Sequence, residues 1–323
     1  MRRTALASSA IFALILASAC GGNGGADGDT GTGDGEELTE ITVGVMPIVD
    51  TAAIWLGVEE GIFEEHGLDV TLEVAQGGAA IAPAVVSGDY EFGFSNVVSL
   101  FVAADQGLPL SMLTPAAGTT GDTSSDVGAV LAMPDSDITE PADLEGQTVS
   151  VNTLNNIGDV TISEVVSQDG GDASDISFVE MGFPDMPAAL TSGQVDAAWI
   201  LEPFSTIAQN QGAEVVTYNF AETDPELLIA AFFADDQYIE QEPEVVESFT
   251  SAMTESLDFA ESNPEEARAI LSTYTEIDDE VQEQMVMPAF PSEFNTDAVQ
   301  NLADLALEHG LIDEDVEVAD LIR

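Results

Sequence analysis

AVVSGDYEFGF (residues 84–94) and ALTSGQVDAAW (residues 189–199) follow one plan at an offset of 105 residues. Each closes an apolar-faced stretch, turns through Ser-Gly, places an acid at Glu91 or Asp196, and ends on an aromatic at Phe94 or Trp199. A Ser-Gly turn after a helix is common, so one copy alone says little. TVGV (42–45) and TVSV (148–151) repeat at an offset of 106, however. Two separate segments at nearly one spacing imply two similar lobes.

Outward from these copies, short β-rich runs alternate with amphipathic stretches. Ile41 to Val45 reads as a buried strand, and 52–66 as a helix with Gly67 as its C′ cap. Val70 to Val74, Glu91 to Phe94 and Leu110 to Leu113 read as strands around helices at 79–87 and 97–106. The second set has strands at Thr148 to Val151, Ile176 to Glu180, Val195 to Trp199 and Glu214 to Tyr218. Its helices fall at 157–168, 185–192 and 203–211. This alternation predicts an α/β fold with a mainly parallel sheet in each lobe. The tail is helical: Val245, Val246, Phe249, Met253 and Leu257 form one apolar face. Asn263 with Pro264 signals a new helix start, and Val299, Leu302, Ala303 and Ala306 form the last face.

The chain has 323 residues, 45% of them hydrophobic, enough for a real core. Acids number 61 against 4 bases, all arginine (Arg2, Arg3, Arg268, Arg323). Without lysine no Schiff-base chemistry is possible, and no basic footprint exists for nucleic acid. The acidity reads as a solvated, self-repelling surface suited to high salt. A single cysteine excludes an internal disulfide and any CxxC site.

That cysteine has a telling position. Met1 to Arg3 is a basic n-region and residues 4–19 an apolar h-region, which together predict a secretory signal over 1–19. The run ends in ASAC and resembles the lipobox of bacterial lipoproteins, with Cys20 as the lipidated residue. Ala17 stands where that motif usually has leucine. Residues 20–37 are a Gly- and Asp-rich tether; Asp27 and Asp29 fail the calcium-loop pattern, since Gly31 and Thr32 follow.

Four runs carry a wider resemblance: VGVMPIVDTAAIWLGVEEGIFEEHGLDVTLEVAQGGAAIAPAVVSGDYEFGFSN (43–96), DLEGQTVSVNTLNNIGDVTISEVV (143–166), MPAALTSGQVDAAWILEPF (186–204) and LIAAFFADDQYIEQEPEVVESF (228–249). They resemble solute-binding proteins of ABC importers of the nitrate, sulfonate and taurine type, including relatives that bind thiamine pyrimidine precursors (the SsuA/THI5-like group). The resemblance implies a two-lobed type II periplasmic-binding-protein fold with a ligand cleft between the lobes. On this chain lobe one would hold 38–125 and 230–323, and lobe two 130–225, with crossovers near 126–133 and 228–235. It further implies a monomeric, extracytoplasmic receptor, held to the membrane by lipid at Cys20. Its partners would be a small solute, an ABC permease and an ATPase. No cofactor, metal or nucleic acid is expected.

Ligands of open α/β sheets sit beyond the carboxyl ends of the strands, at helix N-termini. That rule selects Pro47 to Thr51, Ser95 with Asn96, Thr114 to Ala117, Asn152 to Asn155, Gly182 to Met186 and Trp199 to Phe204. Ser95, Asn96, Asn152, Thr153 and Asn155 are short polar groups able to cap a helix or reach a ligand. Asp50, beside Thr51, and Glu202, in the family's EPF segment, are the acids of interest; Trp55, Trp199 and Phe204 are rings that stack on a ligand or pack the core. The scarcity of bases favours a neutral or cationic heterocycle over a sulfonate or nitrate, which would rely on N–H groups alone. The rival readings are a THI5-like or hydrolytic enzyme, or a surface receptor without transport. The THI5-like enzyme depends on a lysine-bound cofactor, and this chain has only His66 and His309 as histidines.

Overall fold

Apolar runs of four to nine residues become the strands of two sheets in the computed structural model, which describes residues 38–75 and 77–323. The signal segment, the Cys20 lipidation site and the tether over 20–37 lie outside the described residues. Strands β1 (Thr39–Val45), β2 (Leu68–Val74), β3 (Phe92–Asn96), β4 (Leu110–Gly118) and β10 (Leu228–Asp235) form the first sheet, in the order β2-β1-β3-β10-β4. Strands β5 (Gly128–Ala132), β6 (Thr148–Val151), β7 (Ser177–Glu180), β8 (Ala197–Leu201) and β9 (Glu214–Thr217) form the second, in the order β7-β6-β8-β5-β9. Each order is parallel except for one antiparallel strand, β10 or β5, set between its neighbours.

The helices pack around these sheets. The first lobe carries α1 (Ala52–Glu59), α2 (Ile62–Glu65), α3 (Gly78–Ser87) and α4 (Val97–Asp105). The second carries α5 (Ile157–Gln168), α6 (Met186–Thr191), α7 (Phe204–Asn210) and α8 (Asn219–Thr223). The tail adds α9 (Asp236–Gln241), α10 (Pro243–Ser262), α11 (Pro264–Ala269), α12 (Asp279–Gln284), α13 (Thr296–Glu308) and α14 (Val318–Leu321). Val246, Phe249, Met253 and Leu257 of α10 are buried, and the Phe249 ring stacks on Phe92 of β3 at 3.9 Å. No helix among the described residues is long and apolar enough to cross a membrane.

The two sequence copies do the same structural job. Gly88 (φ 76°) and Gly193 (φ 71°) both take the left-handed conformation that ends a helix, which glycine adopts without Cβ strain. Asp89 N–H then donates to Ala84 C=O, and Gln194 N–H to Ala189 C=O, each at 2.9 Å. The acids follow suit. Glu91 N–H donates to Thr42 C=O while its carboxylate accepts Thr42 N–H at 2.7 Å; Asp196 makes the same pair of bonds with Thr148, its carboxylate at 2.8 Å. Each acid thus extends the strand ladder by one side-chain bond, satisfying an N–H the neighbouring strand does not reach.

Several boundaries differ from the sequence reading, with identifiable causes. The helix expected over 52–66 is two, because Gly61 turns left-handed (φ 77°) and sends Ile62 and Phe63 back onto the core. The strand expected at Leu110 to Leu113 runs on to Gly118, all of it buried, because β10 pairs along its whole length. Segments 128–132 and 228–235 are the antiparallel strands inside the sheets. The chain passes from one sheet to the other between Gly118 and Gly128, and back between Thr217 and Leu228. Asn263 sits at the start of α11, but its side chain donates to Phe259 C=O of α10 and accepts nothing from α11.

Candidate functional site

The carboxyl ends of β1, β3, β6 and β8 lead into the segments that hold the predicted site residues. In the first lobe, residues 49–51 form a single 3₁₀ turn after β1. Thr51 is buried and spends its hydroxyl on Met46 C=O at 2.7 Å. Tyr274, from the tail, donates to Ile48 C=O at 3.1 Å and stacks on Trp55 at 4.6 Å with planes 10° apart. Between these groups Asp50 is 1% exposed, and neither carboxylate oxygen has a hydrogen-bond partner. Burial pushes its carboxyl up to about 7, and the nearby charge of Asp126 adds to the rise. The Trp55 indole N–H and the Thr114 hydroxyl are also buried without partners.

Asp126, which sequence reasoning did not select, is a saturated acid. It accepts from the Thr119 hydroxyl, from Thr120 and Val127 N–H, and from Ala221 N–H at 3.1 Å. It therefore ties together the two segments that pass between the sheets. Nothing in its local sequence distinguishes it from other acids in this chain; its partners lie up to 95 residues away.

The remaining predicted residues divide into groups that meet and groups that do not. Ser95 and Asn96 end β3, and Asn96 caps α4: its Oδ1 accepts Ser99 N–H at 2.9 Å. The Ser95 hydroxyl lies so close to α3 that a Cβ built on Gly78 would fall 2.0 Å from it. A Cβ on Gly77 would stand 3.3 Å from Thr153 and 3.5 Å from the Asn152 amide. The start of α3 in one lobe thus touches the start of α5 in the other, so Ser95, Asn152 and Thr153 share one neighbourhood. Asn155 is exposed with φ 56°, the only described non-glycine residue at positive φ.

The cap of α5 is Asn156, which the sequence reading passed over. Its Oδ1 accepts Gly158 N–H at 2.8 Å, and its own N–H donates to Asp159 at 3.0 Å, forming a capping box. Its amide donates to Asn152 Oδ1 at 2.6 Å and Thr153 Oγ1 at 3.0 Å, holding both in place. An Asn followed by an acid three residues later was the available signal. Burial raises the Asp159 carboxyl to about 6.

Trp199 is enclosed between Phe183 and Phe220, with ring centroids at 5.6 and 5.7 Å, and packs on Gly158. Glu202, 1% exposed, is fully engaged: one oxygen accepts Thr206 N–H at 3.1 Å, the other the Thr206 hydroxyl at 2.8 Å and Val286 N–H at 3.3 Å. Burial raises its carboxyl and these bonds oppose the rise. The histidines pair with acids elsewhere, His66 with Glu255 at 2.9 Å and His309 with Glu164 at 3.0 Å. No group of three metal-ligating side chains occurs among the described residues. A cavity of about 810 Å³ lies along α5, between Ser163, Ser167 and the His309 turn; of the predicted residues only Asn155 lines it.

Two sheets of matching strand order, joined by two passing segments and facing each other through helix N-termini, define a two-lobed periplasmic-binding-protein fold. Residues 49–267 match the family described as NMT1/THI5 like, and the chain belongs to it. A formylaminopyrimidine-binding protein of Halalkalibacterium halodurans is 23% identical over 273 residues, covering 82% of this chain and 77% of its own. The alkanesulfonate-binding protein SsuA of Xanthomonas axonopodis pv. citri, bound to MOPS, superposes with a TM-score of 0.74 at 18% identity, over 89% of this chain and 99% of that one. The nitrate-binding protein NrtA of Synechocystis does so at 0.76 and 15% identity, over 89% and 86%.

Proposed function

We propose that this protein is the extracytoplasmic solute receptor of an ABC importer, lipid-anchored at Cys20, and that it captures a small nitrogen heterocycle without converting it. One observation carries the ligand class: Asp50 is buried at the end of β1 with both oxygens unpartnered. A buried carboxylate without a donor is costly, and a ring bearing adjacent N–H groups supplies the missing pair. The bases support the same choice. Arg268 gives its guanidinium to backbone carbonyls, and Arg323 donates to Asp320 C=O, so a sulfonate or nitrate would meet no free guanidinium at these strand ends. In this reading Ser95, Asn152 and Thr153 complete the polar wall, while Thr51, Asn96 and Trp199 set its shape.

A thermal-shift panel in high salt tests it, with nitrate, taurine and alkanesulfonates set against aminopyrimidines and other small amines. A ligand at a hundred times its dissociation constant adds about 2.7 kcal/mol. An aminopyrimidine shift that Asp50→Ala weakens about a hundredfold is the expected result, since two hydrogen bonds to a charged group are lost. A sulfonate shift that survives Asp50→Ala overturns the ligand class. Cys20→Ala is expected to release the protein from membranes, checked by fractionation.

A further inference from the structure

Arg268 is the one arginine of the described residues away from the chain end, in a chain with 61 acids, yet it pairs with none of them among the described residues. Its Nη1 donates to Gln282 C=O at 2.9 Å and Met285 C=O at 2.6 Å. Gln282 returns the favour, donating to Arg268 C=O at 2.8 Å. The last turns of α11 and α12 therefore cap each other, with the cation on the carbonyl end of α12, where its charge is favoured. Met285 C=O and Val286 N–H are the two ends of a single peptide group. That same Val286 N–H donates to Glu202.

We infer that Arg268 and Glu202 form an interlobe clamp, a cation and a carboxylate linked through one peptide plane. Glu202 stands at the end of β8 in the second sheet. Met285 and Val286 belong to the tail, whose α11 packs on α1 of the first lobe and whose residue Ala289 bridges to Gly118 of β4, while α12 packs on α7 of the second lobe beside the clamp. The guanidinium polarises the Met285–Val286 peptide so that its N–H binds the buried carboxylate more strongly, and Thr206 holds that carboxylate in line. Glu202 is then a positioning residue that holds the lobes together, and Arg268 acts on it without touching it. The inference rests on the two-lobed receptor reading but not on the identity of the ligand.

The test reads lobe separation first. Spin labels go on Gln194→Cys and Glu247→Cys, both exposed, in the full chain carrying Cys20→Ser. A short-distance component without ligand is expected in this background; Val286→Pro, which removes the N–H along with the side chain, should abolish it, and Val286→Ala, which keeps the N–H, should not. Met285 already has the extended conformation (ψ 151°) that a following proline favours. Arg268→Met should act likewise and Arg268→Lys should restore most of the closed population. A double-mutant cycle between Arg268→Met and Glu202→Gln should show coupling of about threefold or more, which two independent structural residues would not. With an identified ligand, Val286→Pro should speed its release about tenfold with little change in association rate. A short-distance component missing from the background, one that persists in Val286→Pro, or an additive cycle, overturns the clamp. Silence of the ligand panel bears on the ligand class alone.

Discussion

The two lobes share strand order, left-handed turn and ladder-closing acid, and they part at the carboxyl ends of their strands. At the end of β8 the Glu202 carboxylate takes three hydrogen bonds; at the end of β1 the Asp50 carboxylate takes none, though both are 1% exposed. The lesson is that a repeated frame leaves the strand ends free to diverge. Of these two acids, one is satisfied by the protein itself and the other awaits something that donates.

The sharpest way to break this contrast is to neutralise Asp50. Its folded carboxyl titrates near 7, well above the ordinary aspartate value of 3.8, so the folded state binds the extra proton. The burial cost is therefore absent at pH 4, grows as pH rises, and is complete above pH 7, reaching about 4 kcal/mol. Asp50→Asn should raise the melting temperature at pH 8 and leave it nearly unchanged at pH 4. An equal shift at both values would show that Asp50 has a partner in solution.

Packing at the helix starts gives the next effect. A Cβ on Gly158 would fall 2.6 Å from the Trp199 ring, itself fixed by Phe183 and Phe220; one on Gly78 would fall 2.7 Å from the Ser95 Cβ, which rotation of the hydroxyl cannot move. Gly158→Ala and Gly78→Ala should each cost about 1–3 kcal/mol in urea unfolding, by the usual cost of overpacking. A negligible cost for Gly78→Ala would mean that the α3 start shifts freely away from β3.

The smallest effect sharpens the likeness. Glu91→Ala and Asp196→Ala each remove one ladder bond, worth about 1 kcal/mol. The two losses should match and add in the double variant, as for distant independent sites. Clear non-additivity would couple the sheets in a way their separate ladders do not suggest.

Much of the frame was legible because it is written in local signals. The Ser-Gly turns and the alternation of apolar runs need only a short window, the offset copies only the comparison of two such windows, and the sheets reproduce them. The ends of elements were less legible. Gly61 splits a helix whose apolar pattern runs straight through it, and β4 is lengthened by β10, more than a hundred residues away. The site divided along the same line. The strand-end rule selected Asp50 and Glu202 and stopped one residue short of Asn156. It could not tell a satisfied acid from an orphan, because Glu202 takes a donor from Val286, 84 residues on. Asp126 was out of reach for the same reason.

Strand β10 has a bearing on the order of events during folding. The second sheet draws all five strands from one continuous stretch, Gly128 to Thr217, so it can assemble as soon as that stretch exists. The first sheet cannot. Its strand β4 pairs with β10 alone within the sheet, and β10 lies beyond the entire second lobe. Closing that long loop is entropically slow, so the amino-terminal lobe, although made first, is the last to gain its final form. The half of the molecule that holds the orphan Asp50 receives its joining strand only after the whole stretch that holds Glu202 has been made.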